Sequence, residues 1–329
     1  MMRARALSPR IEVRPYRLRL VRPLRTAHGV REVREGFLVF AYEDGLVGRG
    51  DAAPLPEMGT ESLAECLAQL QGARFDALPG APAARCGLTQ ALLDLQAQRA
   101  AVPLARLLER EAPLRVPASA LLSADTIPEL AREAQRAEAD GFGTLKLKVG
   151  LEDDYARAAV VRDAAGPEVR LRLDANGAWD AATAARKLRE LAPLGIELCE
   201  QPTPDLRGLG ASPVPLAADE MVATDPEGAM ERARILVLKP MLLGGLMPAL
   251  ALARRAHERG LQVIVTTSLE SAVGRAGASH LAAAVLALGP QPAAGIATGR
   301  LLAEDAGNDP FAPRRGVVQI PALPGLGLP

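Results

Sequence analysis

Residues 170–179 read RLRLDANGAW, and the fold turns on them. Leu171 and Leu173 alternate with Arg172 and Asp174, the period-two pattern of a β-strand. The strand ends on Asp174, before a turn carrying Asn176 and Gly177. A strand that delivers a carboxylate at its C-terminal end gains meaning when the event recurs. Residues 196–202 (IELCEQP) deliver Glu200, 215–220 (PLAADE) deliver Asp219, and 235–240 (ILVLKP) deliver Lys239. Upstream, 144–150 (TLKLKVG) deliver Lys146 and Lys148. Five successive apolar runs each end in a charge.

Working outward, strands are expected near 116–122, 144–149, 169–174, 196–200, 215–219, 235–239, 261–266 and 293–297. Helical spacing lies between most of them, as at 127–140, 181–191 and 246–259. Alternating β and α over this length predicts a parallel sheet. Eight strands suit a closed (β/α) barrel, a modified TIM barrel, spanning 116–299. A doubly wound open sheet is the competing topology, and the absence of GxGxxG after the first strand counts against its dinucleotide-binding version. Residues 1–115 differ. Strands at 17–21, 36–42 and 46–51, a hairpin turn at Glu43-Asp44-Gly45 and helices at 61–70 and 89–99 predict an α+β capping domain. Thr26-Ala27-His28-Gly29 reads as a small polar loop. The tail, with a short strand from Val317 and then Pro/Gly-rich coil, has too little apolar content to fold alone. It is expected to pack back, so that 300–329 complete the cap.

Composition bounds the function. The 329 residues are 49% apolar but only 3% aromatic, so the core is built of Leu, Val, Ile and Ala. Lys plus Arg and Asp plus Glu number 39 each, without the basic excess of a nucleic-acid binder. Cys66, Cys86 and Cys199 form no CxxC, which predicts reduced thiols and a cytoplasmic location. No apolar run reaches a membrane span of ~18 residues, and no apolar signal core follows the basic N-terminus. Neither nucleic acid nor membrane is expected as a partner; a small molecule is. Composition leaves monomer and homo-oligomer open.

In a parallel barrel the C-terminal strand ends converge on one mouth. Asp174, Glu200 and Asp219 arrive there from successive strands, about one βα unit apart. One such acid is readily a helix cap. Three in register repel one another and call for a cation, and an all-oxygen site with room for substrate suits Mg²⁺. Lys146 and Lys148, two positions apart, both point inward, and Lys239 comes from the far side. The alternative, a surface strand with snorkelling lysines, leaves the acids without partners. Beside a cation and a second ammonium, one lysine loses its proton more easily than the ordinary ~10.4. Arg172 shares the face of Asp174 and is expected to pair with a substrate carboxylate or with Glu200. Ser268, Gly295 and Thr298 sit in small polar mouth loops suited to an anionic ligand. Trp179 reads as helix-packing core.

These motifs resemble the enolase superfamily, in its muconate cycloisomerase-like subgroup. The likeness rests on KxK at 146–148, DAN at 174–176, ExP at 200–202, DE at 219–220 and KP at 239–240, and covers nearly the whole chain. Within the subgroup the chain is similar to the o-succinylbenzoate synthase family, on GRGDAAPLP at 48–56, ESL at 61–63, LRLDANGAW at 171–179 and SLESAVG at 268–274. The resemblance implies Mg²⁺ (or Mn²⁺ as a substitute) held by Asp174, Glu200 and Asp219. It implies syn dehydration of a cyclohexadiene carboxylate in menaquinone synthesis. Lys148 is then the base and proton return, Lys146 depresses its pKa, and Lys239 stabilises the enediolate. Three departures stand out. Gln201 replaces a frequent acid, Asp51 stands where Glu is common, and Thr298-Gly299-Arg300 replaces the DxD of many dipeptide epimerases. Racemases, epimerases and cycloisomerases share the same lysines and acids. A Schiff-base aldolase with Lys146 or Lys239 as nucleophile, from another enzyme class, and a non-catalytic binding module that keeps only the fold are the remaining readings.

Overall fold

The computed structural model describes residues 9–26, 29–73 and 78–328. Ala27 and His28, the centre of the expected polar loop, lie outside the described residues. The chain opens with three antiparallel strands, β1 (Arg10–Thr26), β2 (Gly29–Glu43) and β3 (Leu46–Ala52), ordered β1-β2-β3. The β2–β3 turn falls on Asp44 and Gly45, at φ 50° and 79°, the two left-handed positions of a tight hairpin. Helices α1 (Leu63–Gln71), α2 (Pro82–Arg99) and α3 (Leu104–Leu108) follow. A capping box starts α1, with Ser62 and Glu65 each satisfying the other's backbone N–H. Helix α2 lies directly on β3: a Cβ on Gly50 would meet the Gly87 carbonyl oxygen at 1.9 Å. Only glycine permits that approach.

The remainder is a (β/α) barrel. Its strands are β5 (Ala120–Leu122), β6 (Thr144–Lys148), β7 (Arg170–Asp174), β8 (Ile196–Glu200), β9 (Leu216–Ala218), β10 (Ile235–Leu238) and β11 (Gln262–Val265), all parallel and paired in sequence order. Helices α4 (Ile127–Ala139), α5 (Asp154–Ala165), α6 (Ala181–Leu191), α7 (Pro226–Arg232), α8 (Pro240–Leu243), α9 (Leu246–Glu258) and α10 (Ala272–Leu286) surround them. Leu145, Leu147, Leu171 and Leu173 are buried against this ring. The intervening positions therefore face the barrel axis.

Two expectations change here. The run 116–122 is not one strand. Arg115–Pro117 forms β4, antiparallel to β12 (Val317–Gln319) of the tail, and only then does β5 begin. The eighth strand expected at 293–297 is reduced to bridges. Ala294 pairs with Ala118, and Gly295 with Thr266. Pro290 and Pro292 lack a backbone N–H and keep the approach short of donors, yet both sides are bonded: Ser119 N–H donates to Ala294 O at 2.9 Å and Gly295 N–H to Val265 O at 2.9 Å. These bridges close the ring. The tail ends on the cap, where Leu326 N–H donates to Asp94 of α2 at 2.7 Å. Trp179 is buried in the main core, as expected. All three cysteines are buried and unbonded. Among the described residues, no helix is long and apolar enough to cross a membrane.

Candidate active site

A cavity of about 160 Å³ opens at the C-terminal ends of the strands. Lys146, Lys148, Asp174, Asp219 and Lys239 line it from the barrel. Ser268, Gly295 and Thr298 line its rim, and Leu55 and Met58 roof it from the cap. Arg31 of β2, paired with Glu57, completes the roof.

Strand register builds the centre. Lys148 lies opposite Asp174 across β6–β7, and Asp174 opposite Glu200 across β7–β8. All three acids are at most 5% exposed. Lys146 Nζ lies 2.6 Å from Glu200 Oε1 and 3.0 Å from Asp174 Oδ2, bridging the two. Lys239 pairs with Asp219. Among the described residues, no ion pair joins Lys148 to a carboxylate, although it lines the same cavity.

The electrostatics follow from these pairings. Burial opposes the charge on Lys146, but Asp174, Glu200 and Asp219 outweigh it and hold the ammonium above the ordinary lysine range. Lys239 is raised in the same way: burial is outweighed by Asp219 and Glu220. Lys148 moves the other way. Burial lowers it, Asp174 opposes, and Lys146 and Lys239 add their repulsion. Burial also pushes Asp174 up, but Lys146 and Lys148 more than offset this and leave it low. Glu200 is held well above the carboxylate range by burial, with Lys146 insufficient against Asp174 and Asp219.

The donor set fits a hard divalent cation: three buried carboxylates on neighbouring strand ends. A fourth acid, Glu220, keeps one buried oxygen, Oε2, without a partner. As the side chains stand, Lys146 and Lys239 occupy these carboxylates. No group of three or more His, Cys, Asp or Glu side chains among the described residues is gathered as a ready cage.

Arg172 corrects its expectation. It contacts neither Glu200 nor the cavity. Its Nε donates to Glu197 Oε2 at 2.6 Å, and it reaches across the barrel to Ala293 O at 2.7 Å. The cause is a register shift between β7 and β8, where Leu171 pairs with Ile196 but Arg172 with Leu198. Glu197 is the residue skipped, and the irregularity gives Arg172 an acid low in the barrel.

Two residues outside the expected set shape the mouth. Asn176, at φ 45°, donates Nδ2–H to Glu220 Oε1 at 3.0 Å. Gln201, fully buried, donates from Nε2 to the carbonyls of Thr203 (2.8 Å) and Pro204 (2.9 Å). Its Oε1 accepts from the Asp219 N–H at 2.9 Å. An ionised acid cannot make those two donations. Gln201 therefore orients Asp219, and its place directly after Glu200 was the signal available in sequence.

The C-terminal part, residues 129–329, matches the family model described as enolase C-terminal domain-like. The chain belongs to the enolase superfamily. Residues 11–95 match the o-succinylbenzoate synthase N-terminal domain. An o-succinylbenzoate synthase of Thermobifida fusca (strain YX) is 36% identical, covering 91% of this chain and 85% of that protein. An L-Ala-D/L-Glu epimerase of Bacillus subtilis (strain 168) is 31% identical, covering 97% and 96%. A dipeptide epimerase of Enterococcus faecalis V583, solved with Mg and the dipeptide L-Leu-L-Tyr, superposes at TM-score 0.88 with 27% identity over 98% of this chain and 99% of that one. The superfamily and its enzymatic character are thereby fixed, while synthase and epimerase relatives stand side by side.

Proposed function

We propose that the chain is an o-succinylbenzoate synthase, converting 2-succinyl-6-hydroxy-2,4-cyclohexadiene-1-carboxylate to 2-succinylbenzoate by syn loss of water. The observation that carries this reading is the asymmetry of the lysines. Lys148 is the one amine of the three without a carboxylate partner among the described residues, and its pKa lies below the ordinary range. Lys239, on the opposite side, is paired with Asp219 and held protonated. One base on one face suits syn elimination; a two-base racemase needs both amines to exchange protons. The match of residues 11–95 to the synthase N-terminal domain supports the same reading.

The residues divide the work as follows. Lys148 removes the proton α to the substrate carboxylate and returns it to the departing hydroxyl. Lys146 disfavours a charged Lys148 and holds Asp174 and Glu200. Lys239 faces the enediolate as a fixed cation, in ionic and cation–π contact. Ser268, Gly295 and Thr298 hold the substrate at the rim. Asp174, Glu200 and Asp219 would hold Mg²⁺, with Mn²⁺ as a substitute, which supplies positive charge to the substrate carboxylate. Cations aimed at those oxygens stabilise the enediolate more than the ground state.

The test is to supply the cyclohexadiene substrate with Mg²⁺ and follow its loss, with Lys148→Ala as control. Turnover that EDTA abolishes and Mg²⁺ restores is expected. No turnover by the wild type, together with racemisation of an N-succinyl amino acid, would replace this reading with a racemase. Activity that survives EDTA, with a lysine adduct trapped by borohydride, would point to an aldolase.

A further inference from the structure

The cavity has two walls from different parts of the chain, and one buried side chain holds both. Arg34, on β2, is 1% exposed. On the cap side it donates to Pro54 O at 2.8 Å and to Ala53 O, fixing the segment that leads into Leu55 and Met58. On the barrel side its Nε donates to Ser268 O at 3.2 Å. Ser268 and Leu269 line the same cavity as Leu55 and Met58.

The barrel wall requires that support. Leu269 sits at φ 64°, a left-handed conformation that a leucine keeps only where its surroundings hold it there. Its neighbours are tied on both sides: Ser268 N–H donates to Glu270 Oε2 at 2.6 Å, and Ser271 donates from N–H (2.8 Å) and Oγ (2.6 Å) to Asp51 of β3. Tyr16 of β1 in turn donates to Asp51 at 2.9 Å. Asp51 and Glu270 also face the Arg34 charge. A guanidinium is a rigid planar fork, so the carbonyls it binds are held at a fixed separation.

We propose that Arg34 is a positioning residue that sets the gap between the cap wall and the barrel wall, and so selects substrates by the girth of the acyl arm lying between Leu55, Met58 and Leu269. The inference rests on the synthase reading for the identity of that arm, a succinyl chain. It predicts discrimination against bulkier acyl arms, exerted from a residue that touches no substrate.

The test compares wild type, Arg34→Lys and Arg34→Met as full chains. Amide hydrogen exchange is followed at 53–58 and 266–271, and kinetics are read on whichever substrate the wild type turns over. Arg34→Met should speed exchange in both segments together by at least tenfold. It should raise KM at least tenfold while lowering kcat less than threefold. It should narrow at least fivefold the kcat/KM preference for the succinyl substrate over a benzoyl-armed analogue. Arg34→Lys should fall between. Loosening of one segment alone, a kcat loss at constant KM, or an unchanged preference would overturn the proposal. If Arg34→Met does not fold, the same three measurements on Arg34→Lys support or overturn it by the same outcomes. Failure of the wild type on the cyclohexadiene substrate would count against the synthase reading alone, because the paired exchange needs no substrate.

Discussion

Lys148 at the mouth of the barrel and Arg172 low in its interior are cations on adjacent strands, and they are treated in opposite ways. Arg172 is 2% exposed and has an acid and a carbonyl placed for it, Glu197 and Ala293 O. Lys148 faces a cavity with no acid of its own among the described residues, and its neighbours Lys146 and Lys239 repel its charge. A partnered buried cation holds strands together; an unpartnered one beside other cations is ready to give up its proton. On the proposed function, the same barrel uses one positive charge for shape and another for reactivity. Four experiments probe that contrast, in descending order of effect.

Lys148→Ala removes the reactive charge. It should cut turnover roughly 10³-fold, within the range of a lost general base. The unfolding midpoint should change little, because no ion pair among the described residues is broken. A comparable loss of stability, seen by thermal melting, would mean that Lys148 is structural like Arg172.

His280 extends the logic of the interior. It is fully buried on α10, accepts from Ala105 N–H at Nδ1 (2.9 Å), and lies 3.2 Å from Leu326 O through Nε2. Burial lowers its pKa to about 4, with the Leu326 carbonyl opposing. The folded state therefore keeps it neutral while the unfolded chain, near 6.5, takes up a proton. Its contribution is whole above about pH 6.5 and is lost as pH falls toward 4, by roughly 3 kcal/mol. Urea unfolding from about pH 7 to about pH 4 should show that slope, and His280→Gln should flatten it.

Arg172→Met breaks the structural charge pair. Stability should fall by roughly 2 kcal/mol, since Glu197 is partly exposed and keeps some water. kcat/KM should stay within about threefold. A selective loss of substrate affinity would return Arg172 to the role expected from sequence.

Lys146→Gln removes one of the charges that repel Lys148. The acid limb of kcat/KM should move to higher pH, because Lys148 then holds its proton more firmly, and activity at about pH 7 should drop roughly tenfold. A limb that stays in place would show that Lys146 acts only by holding Asp174 and Glu200.

What can be read from the chain differs between these regions for a physical reason. Asp174, Glu200, Asp219, Lys146, Lys148 and Lys239 are legible because strand periodicity fixes which residues face inward, and strand ends fix their height. Arg172 obeys the same periodicity and still misleads, because a one-residue register slip between β7 and β8 depends on how two strands meet. The eighth stave reads as a full strand but forms only bridges, and those to Ala118 and Thr266 exist only once the ring closes. Gln201 stands out in sequence only by its place after Glu200, and Arg34 not at all, because the partners that give both their roles are backbone groups, which leave no mark in sequence.

Sequence alone thus determined the barrel, the capping segment, and the acids and amines that converge at the mouth, because local alternation and apolar content act over a few residues. Only the tertiary structure decided which amine pairs with which acid, setting Lys148 apart from the other two, and joined cap to barrel through Arg34. Those outcomes depend on distances between residues far apart in the chain, such as Arg34 and Ser268, which packing alone can set.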